Sequence, residues 1–256
     1  MKIVIPMTGQ GSRFVKAGYS TYKALIEMHG QKIIEYVVDL FPGEVDVIFI
    51  CRNDMLETTD LKSTLLTIKP SAQIVGIDAH KLGPVYTVAQ AFDYIDDEEQ
   101  VICNYCDFFM LWDYAHFLKT VKEQPAAGAI PCYTGFHPHL LHPHNLYAGC
   151  QVDSNMQLTE IKEKFSFEVD KRKGYHSAGT YYFEKGAYVK KYFTQLMDEK
   201  ITLNGEYYIS LVYNLMVRDG LPVVVYDQVP HFCQWGTPED MMEYNNWSTI
   251  FEAYSK

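Results

Sequence analysis

The chain has no long apolar run and no excess of basic residues. No stretch approaches the roughly 20 apolar residues that a membrane span requires. The 22 Lys and Arg against 32 Asp and Glu give a formal net charge of −10, which provides no basic face for nucleic acid or an anionic membrane. Six cysteines without small-domain spacing predict free thiols. Since no signal peptide precedes the first strand, we expect a cytoplasmic protein that binds neither nucleic acid nor membrane.

The 256 residues also contain no Gly/Ser linker, charge block or internal repeat, and 48% of them are apolar. We therefore expect a single domain with a buried core. Short β-branched runs of buried-strand type alternate with helical patterns in the first 120 residues, which predicts parallel strands with right-handed crossovers. The expected strands lie near 2–6, 46–51, 73–77 and 100–105, and the expected helices near 31–41, 54–68 and 85–95.

The second part of the chain has a different pattern. Asp153-Ser154-Asn155 predicts a hairpin turn, and further strands are expected at 175–183 and 222–227, with helices near 185–197 and 206–218. Thr237 is a good N-cap for a closing helix that begins at Pro238. The expected fold class is α/β, one Rossmann-like domain whose mixed, mostly parallel sheet is flanked by helices.

The first strand leads into a glycine loop, "TGQGSRF", that lacks two known signatures. Phe14 stands where a dinucleotide-binding turn needs its third glycine. No Gly-Lys-Ser/Thr triplet follows, so a P-loop is also excluded. Glycines 9 and 11 would let backbone N–H groups approach phosphate oxygens, and Arg13 and Lys23 would neutralise a triphosphate. The alternative is a tight turn with exposed cations.

Further motifs follow in order along nearly the whole chain: "YKALI", "QKIIEYVV", "GPVYTVAQA" (83–91), "YCDFF", "EIKEK" (160–164), "SAGTYYF", "NGEYYISLV" and "WGTPEDM". Together with the glycine loop they resemble the nucleotidyltransferases that join a nucleoside triphosphate to a sugar phosphate or a related phosphomonoester. The resemblance implies the fold of nucleotide-diphospho-sugar transferases. It also implies a nucleotide-activated product, expected to serve in surface polysaccharide synthesis, and pyrophosphate release.

The resemblance also implies a role for each matching residue. Residues 1–120 would bind the nucleotide and residues 121–256 the acceptor. Asp107 would hold Mg²⁺, and the catalytic cations would be Arg13, Lys23 and Lys164. The nucleotide would contact Thr8, Gly9, Gly11, Ser12, Arg13, Gly83, Pro84 and Val85. The substrates would contact Gly149, Glu163, Lys164, Gly179, Glu206 and Trp235. Among these, Glu163 and Glu206 would accept hydrogen bonds from hydroxyls of the sugar or the ribose, and Lys164 would bind the acceptor phosphate. Tyr181 and Trp235 are candidate walls of the acceptor pocket.

Three departures from the family pattern leave alternatives open. Tyr22 replaces the proline before Lys23, and Pro84-Val85 replaces Thr-Ala. Gln234 stands where many members have a second metal-binding aspartate, and an amide is a poorer Mg²⁺ ligand than a carboxylate. A catalytically silent nucleotide-sugar-binding regulator is therefore one alternative, and a related glycosyltransferase is another, although Cys-Asp-Phe replaces its usual Asp-x-Asp. CTP and UTP are favoured as donors, while the acceptor and any homo-oligomer remain open.

A histidine-rich segment and a Cys-x-x-Cys pair are two further patterns that could indicate a metal or redox site. Four histidines at 137, 139, 142 and 144 are interspersed with two prolines and have no nearby acidic or cysteine partners, so we expect a surface or acceptor-side loop rather than a metal cluster. Cys103 and Cys106 form a lone Cys-x-x-Cys that runs out of a strand, so we expect ordinary thiols there.

Overall fold

The computed structural model describes residues 1–254. It contains a ten-stranded mixed sheet whose strands, numbered along the chain and bounded below, lie in the order β10-β9-β11-β8-β12-β6-β1-β4-β5, with β13 pairing with β8. The predicted fold class, a single α/β domain with a mixed sheet flanked by helices, is confirmed. The strands of this sheet are β1 (Lys2–Met7), β4 (Asp46–Arg52), β5 (Gln73–Ile77), β6 (Val101–Asn104), β8 (Gly128–Tyr133), β9 (Gly149–Val152), β10 (Leu158–Lys162), β11 (Tyr175–Ser177), β12 (Thr180–Phe183) and β13 (Val223–Val229). Two short pairs stand apart, β2 (Glu27–Met28) with β3 (Gln31–Lys32) and β7 (Phe108–Leu111) with β14 (His231–Gln234).

The first half of the sheet is parallel, as the alternation of strands and helices predicts. β1 pairs with β4 on one side and with β6 on the other, and β5 extends the sheet beyond β4. Ile3 and Ile5 of β1 belong to one apolar cluster, whereas Val4 between them belongs to the other. Both faces of this sheet are therefore covered, which explains why its strands read as continuous apolar runs.

The second half is mainly antiparallel. The predicted hairpin joins β9 to β10, and the Asp153 carboxylate accepts hydrogen bonds from the backbone N–H groups of Asn155 and Gln157. The strand expected at 175–183 is instead two strands, because the backbone turns at Gly179 with φ +89°. β11 and β12 pair with successive parts of β8, and β13 pairs with β8 in parallel.

Helices cover the two faces. They are α1 (Ser12–Lys16), α2 (Ile33–Asp39), α3 (Asn53–Thr58), α4 (Leu61–Ile68), α5 (Pro84–Ala89), α6 (Tyr114–Glu123), α7 (Gly186–Asp198), α8 (Ile209–Arg218) and α9 (Pro238–Tyr254). The helix expected at 54–68 is broken at Thr59-Asp60. The Thr59 hydroxyl donates to the Met55 carbonyl and accepts from the Leu61 N–H, and such local bonds compete with a continuous helix. The helix expected at 85–95 ends at Ala89 and is followed by a short 3-10 turn.

The closing helix begins as predicted. The Thr237 hydroxyl accepts a hydrogen bond from the N–H of Asp240 at 3.1 Å, and Pro238 is the first helical residue. Within residues 1–254, no helix is both long enough and apolar enough to cross a bilayer.

The histidine segment differs from the surface loop that its sequence predicts. His137 and His139 are buried, at 1% and 5% exposure. The His137 Nε2 atom accepts from the Phe232 N–H at 3.1 Å, and the His139 Nε2 atom lies 2.7 Å from the Tyr133 hydroxyl. These partners let neutral imidazoles pack in the core, whereas His142 and His144 stay exposed.

Burial of neutral imidazoles makes the fold sensitive to acid. Burial lowers the pKa of His139 to about 3 and that of His137 to about 4, below the usual value of about 6.5 in an unfolded chain. The unfolded state therefore binds more protons below neutral pH, and stability falls as pH drops. At about pH 5, His139 alone accounts for up to about 2 kcal/mol of lost unfolding free energy.

We expect His139→Gln to flatten the dependence of the unfolding free energy on pH between about pH 7 and pH 5. Urea titrations at several pH values measure this slope. The matched control is His142→Gln at an exposed histidine of the same segment, which should keep the slope of the parent protein. Equal slopes for His139→Gln and the parent would contradict the buried neutral state.

Candidate active site

Three adjoining cavities open at the carboxyl ends of the central parallel strands, where ligands of such sheets bind. The loop cavity, of about 560 Å³, lies along the glycine loop and is lined by residues that include Thr8, Gly9, Ser12, His80, Gly83, Pro84, Asn204, Glu206 and Tyr208. The cation cavity, of about 320 Å³, contains Gly11, Arg13, Lys23 and Glu206. The tyrosine cavity, of about 530 Å³, contains Arg13, Tyr105, Tyr147, Glu163, Lys164, Gly179, Tyr181 and Tyr208. Asp107 borders all three.

The glycine loop turns sharply between β1 and α1. Gly11 adopts a left-handed conformation with φ +59° as the residue before α1, which a side chain would strain. Arg13, in the first turn of α1, donates a hydrogen bond to the Gly236 carbonyl at 3.4 Å and borders both the cation cavity and the tyrosine cavity. The loop thus brings a cation to the boundary between two cavities.

Lys23 faces Asp107 across the cation cavity. Its Nζ atom lies 2.7 Å from Oδ2 of Asp107, with the two side chains 14% and 39% exposed. The departure at Tyr22 has a visible role, since the Tyr22 hydroxyl donates to the Met7 carbonyl at the end of β1. This bond ties the segment that carries Lys23 to the strand that carries the glycine loop.

Asp107 is held from the other side by β14. The backbone N–H of Trp235 donates to the backbone carbonyl of Asp107 at 3.1 Å, just beyond the β7–β14 pair. Gln234 does not join Asp107, because its Nε2 atom donates to Oδ1 of Asp240 at 2.5 Å. Within residues 1–254, no three His, Cys, Asp or Glu side chains converge to hold one metal ion. Asp107 thus offers one partly exposed carboxylate beside the glycine loop, and Glu206 lines the same loop and cation cavities.

The tyrosine cavity contains a carboxylate with unusual electrostatics. Burial raises the pKa of Glu163 to about 7, although the Ser210 hydroxyl, which donates to it, and Lys164 both lower this pKa. Lys164 follows β10 with φ +54°, and its Nζ atom lies 5.6 Å from the centroid of the Tyr208 ring. A carboxylate and an ammonium group are therefore presented side by side to whatever occupies the cavity.

The segment 83–85, which we expect to contact the nucleotide, is hydrogen-bonded to Tyr207, just before α8. A Cβ atom at Gly83 would lie 2.7 Å from the Tyr207 nitrogen, so glycine is required there by the protein's own backbone. The Val85 N–H donates to the Tyr207 carbonyl at 3.1 Å, and the Tyr207 N–H donates to Leu82 at 2.8 Å. Gly83 and Pro84 border the loop cavity, but the Val85 side chain is fully buried.

Two residues expected at the acceptor site lie outside the cavities. Trp235 is fully buried between Tyr36, Phe109 and Tyr244, which corrects the expectation that it forms a pocket wall. Gly149 does not line a cavity either. A Cβ atom there would lie 2.4 Å from the Phe165 carbonyl oxygen, so this glycine serves backbone packing. Tyr181, by contrast, does lie in the wall of the tyrosine cavity.

Sequence reasoning missed several residues of the cavities. His80 and Lys81 lie three and four residues after the end of β5, and their position after a strand that ends at the same edge as Asp107 was a signal that could have identified them. Tyr208 lies two residues after Glu206 and borders both the loop cavity and the tyrosine cavity. Tyr105 and Asn204 begin the motifs "YCDFF" and "NGEYYISLV" but were not assigned a role, whereas Tyr147 carries no sequence signal that separates it from a core residue.

Similar folds occur among solved nucleotidyltransferases. A nucleoside-diphosphate-sugar pyrophosphorylase from Vibrio cholerae RC9 superposes with a TM-score of 0.74 at 21% identity, covering 95% of this chain and 99% of that one. The inositol-1-phosphate CTP transferase from T. maritima gives a TM-score of 0.72 at 15% identity, covering 93% of this chain and 90% of that one.

Comparison with curated protein sequences gives no significant match. The sequence model of the MobA-like NTP transferase domain matches residues 3–162, more than half of the chain. The chain therefore belongs to the MobA-like NTP transferase family and is a nucleotidyltransferase.

Proposed function

We propose that this nucleotidyltransferase couples a nucleoside triphosphate to a phosphomonoester in a Mg²⁺-dependent reaction and releases pyrophosphate. The observation that carries the proposal is the position of Asp107, which borders the loop cavity, the cation cavity and the tyrosine cavity together. A nucleotide in the loop cavity and an acceptor in the tyrosine cavity would meet at this carboxylate. The cations beside the meeting point are Arg13 and Lys23.

The chemistry needs alignment and charge compensation rather than a general base. A phosphomonoester with a second pKa of about 6 is already mostly dianionic at neutral pH. Its oxygen attacks the α-phosphorus in line with the departing pyrophosphate, so the protein must hold two anions together. Arg13 and Lys23 would bind the triphosphate, and Lys164 would bind the acceptor phosphate at the other end of the path.

The glycine loop contributes backbone groups to this charge compensation. Thr8, Gly9 and Ser12 line the loop cavity, while Gly11 lines the cation cavity beside Lys23. Backbone N–H groups in such loops bind phosphate oxygens. Gly83 and Pro84 border the base end of the same cavity. Glu163 and Gly179 would contact the acceptor, and Glu206, between the loop and cation cavities, would accept a ribose hydroxyl.

Asp107 would hold the magnesium ion. Mg²⁺ commonly binds one or two carboxylates together with substrate phosphates and water, and an accessible single carboxylate beside a phosphate-type loop fits that mode. When bound, the ion would supply electrostatic stabilisation of the reacting phosphates. Lys23, now paired with Asp107, would turn to the phosphates, which leaves the carboxylate free.

The finer assignments extend the same proposal. CTP and UTP are the donors we favour, and CTP is the donor in the name of the T. maritima protein. A cytoplasmic enzyme making precursors for a surface polysaccharide remains our interpretation of the motif series. The proposed nucleotide half (1–120) and acceptor half (121–256) share both sites, because Asn204 and Glu206 line the loop cavity and Arg13 lines the tyrosine cavity.

One observation favours a second candidate. Gln234 is bonded to Asp240 rather than directed at Asp107, so the site has fewer metal-binding carboxylates than many relatives. A catalytically silent nucleotide-sugar-binding regulator would keep the cavities and lose the transfer.

A panel assay separates the two candidates. Each NTP is incubated with Mg²⁺ and phosphomonoesters of sugars, polyols and amino alcohols, and pyrophosphate is measured. We expect release with at least one pair, reduced at least about 100-fold in Asp107→Asn. The surface variant Asp97→Asn is the matched control and should keep full activity. Nucleotide binding without pyrophosphate would favour the regulator, and an active Asp107→Asn would contradict the metal assignment.

The raised pKa of Glu163 predicts how acceptor binding depends on pH. Because burial raises this pKa to about 7, the carboxyl is neutral below that pH and accepts fewer hydrogen bonds from acceptor hydroxyls. The KM for the acceptor should therefore rise as pH falls from about 8 to about 6. In Glu163→Gln this dependence should shrink to that of the acceptor phosphate itself. An unchanged pH profile in this variant would remove Glu163 from acceptor binding.

A further inference from the structure

A fully buried hydroxyl connects the base end of the loop cavity to the glycine loop. Thr87, in α5, is 0% exposed. Its Oγ1 atom lies 3.1 Å from Nε2 of His80 and 2.7 Å from Oγ1 of Thr8. His80 and Thr8 both line the loop cavity, whereas Thr87 lies behind it. The three side chains form one continuous hydrogen-bonded chain.

The backbone fixes the direction of this chain at its first member. The Leu82 N–H donates to Nδ1 of His80 at 3.1 Å, so Nδ1 must be unprotonated. A neutral imidazole then carries its hydrogen on Nε2, which donates to Thr87. Burial lowers the pKa of His80, which favours the neutral ring at physiological pH.

The hydroxyl of Thr87 can donate either to Thr8 or to the Gly83 carbonyl, which lies 3.2 Å away. If Thr87 donates to Thr8, the hydrogen of the Thr8 hydroxyl is available to the cavity. If Thr8 donates to Thr87 instead, only lone pairs face a ligand. An anionic ligand selects the first arrangement, because a hydrogen bond to a charged acceptor is worth more than one between neutral groups.

We propose that His80 and Thr87 are positioning residues that orient the Thr8 hydroxyl to donate to a phosphate oxygen of the bound nucleoside triphosphate. This inference rests on the proposed function, since it takes the loop cavity as the nucleotide site. The chain couples the segment at the base end of the cavity to the segment at its phosphate end. Thr87 is fully buried and does not line the cavity, and His80 lines its base end, so both would act on the phosphate through Thr8.

The test measures binding of CTP and UTP by calorimetry with Mg²⁺ and without acceptor. Thr87→Val keeps the side-chain shape and removes the hydroxyl, so we expect nucleotide affinity to fall about 10-fold. Thr87→Ser restores the hydroxyl and should return affinity to within about 3-fold of the parent. In turnover assays, the KM for the nucleotide should rise in Thr87→Val while the KM for the acceptor stays constant.

A second substitution tests whether the residues act as one chain. His80→Phe keeps the edge-to-face contact with Tyr86, whose ring centroid lies 4.7 Å away, and removes both ring nitrogens. We expect an affinity loss similar to that of Thr87→Val. The double variant should bind no more than about 3-fold more weakly than either single variant, because substitutions within one hydrogen-bond network are not additive.

The control is Thr120→Val in α6. Like Thr87, Thr120 donates to the carbonyl four residues earlier, at 2.9 Å, but it lies outside the three cavities. Its affinity should match the parent, and thermal unfolding checks that every variant is folded. Three results would contradict the proposed role of the hydrogen-bonded chain and leave the proposed function intact. They are unchanged nucleotide affinity in Thr87→Val, equal losses in Thr87→Val and Thr87→Ser, and multiplied losses in the double variant. A parent protein that binds no nucleotide would overturn the proposed function and the chain together.

Discussion

The ion pair between Lys23 and Asp107 is the contact around which the site is arranged. The Lys23 Nζ atom lies 2.7 Å from Oδ2 of Asp107, where the opposite charges attract each other although the Asp107 side chain is 39% exposed. Tyr22 anchors the lysine side to β1, and the Trp235 N–H anchors the aspartate side to β14. The pair therefore joins segments that are distant in the sequence.

A second constraint is the close packing of backbone between α5 and the segment before α8. Gly83 admits the approach of Tyr207, and reciprocal hydrogen bonds from Val85 and Tyr207 complete the junction. This junction places Glu206 and Tyr208 beside the glycine loop. It explains why the loop cavity, which begins at the first strand, depends on residues from the last quarter of the chain, and why a division at residue 120 does not separate the proposed nucleotide and acceptor sites.

The sequence predicts the features that depend on local patterns. Apolar alternation identifies the central strands, Asp153 to Asn155 predict the hairpin, and Thr237 predicts the start of α9. The sequence does not predict features that depend on tertiary packing. An aromatic residue such as Trp235 has the same pattern whether it lines a pocket or fills the core, and only the register of β14 against β7 separates the two. His137 and His139 resemble a polar loop until Tyr133 and Phe232 are placed beside them. The hydrogen-bonded chain of His80, Thr87 and Thr8 likewise exists only after α5 docks beside β1.

The central claim is that an acceptor phosphate oxygen attacks the α-phosphorus at the meeting point of the three cavities. Heavy-oxygen labelling of the non-bridging oxygens of the acceptor phosphate, followed by mass spectrometry of the products, tests it directly. Because the attacking oxygen belongs to the acceptor phosphate, we expect all of the label in the nucleotide-linked product and none in the released pyrophosphate. Label in the pyrophosphate, or release of a nucleoside monophosphate instead, would contradict it.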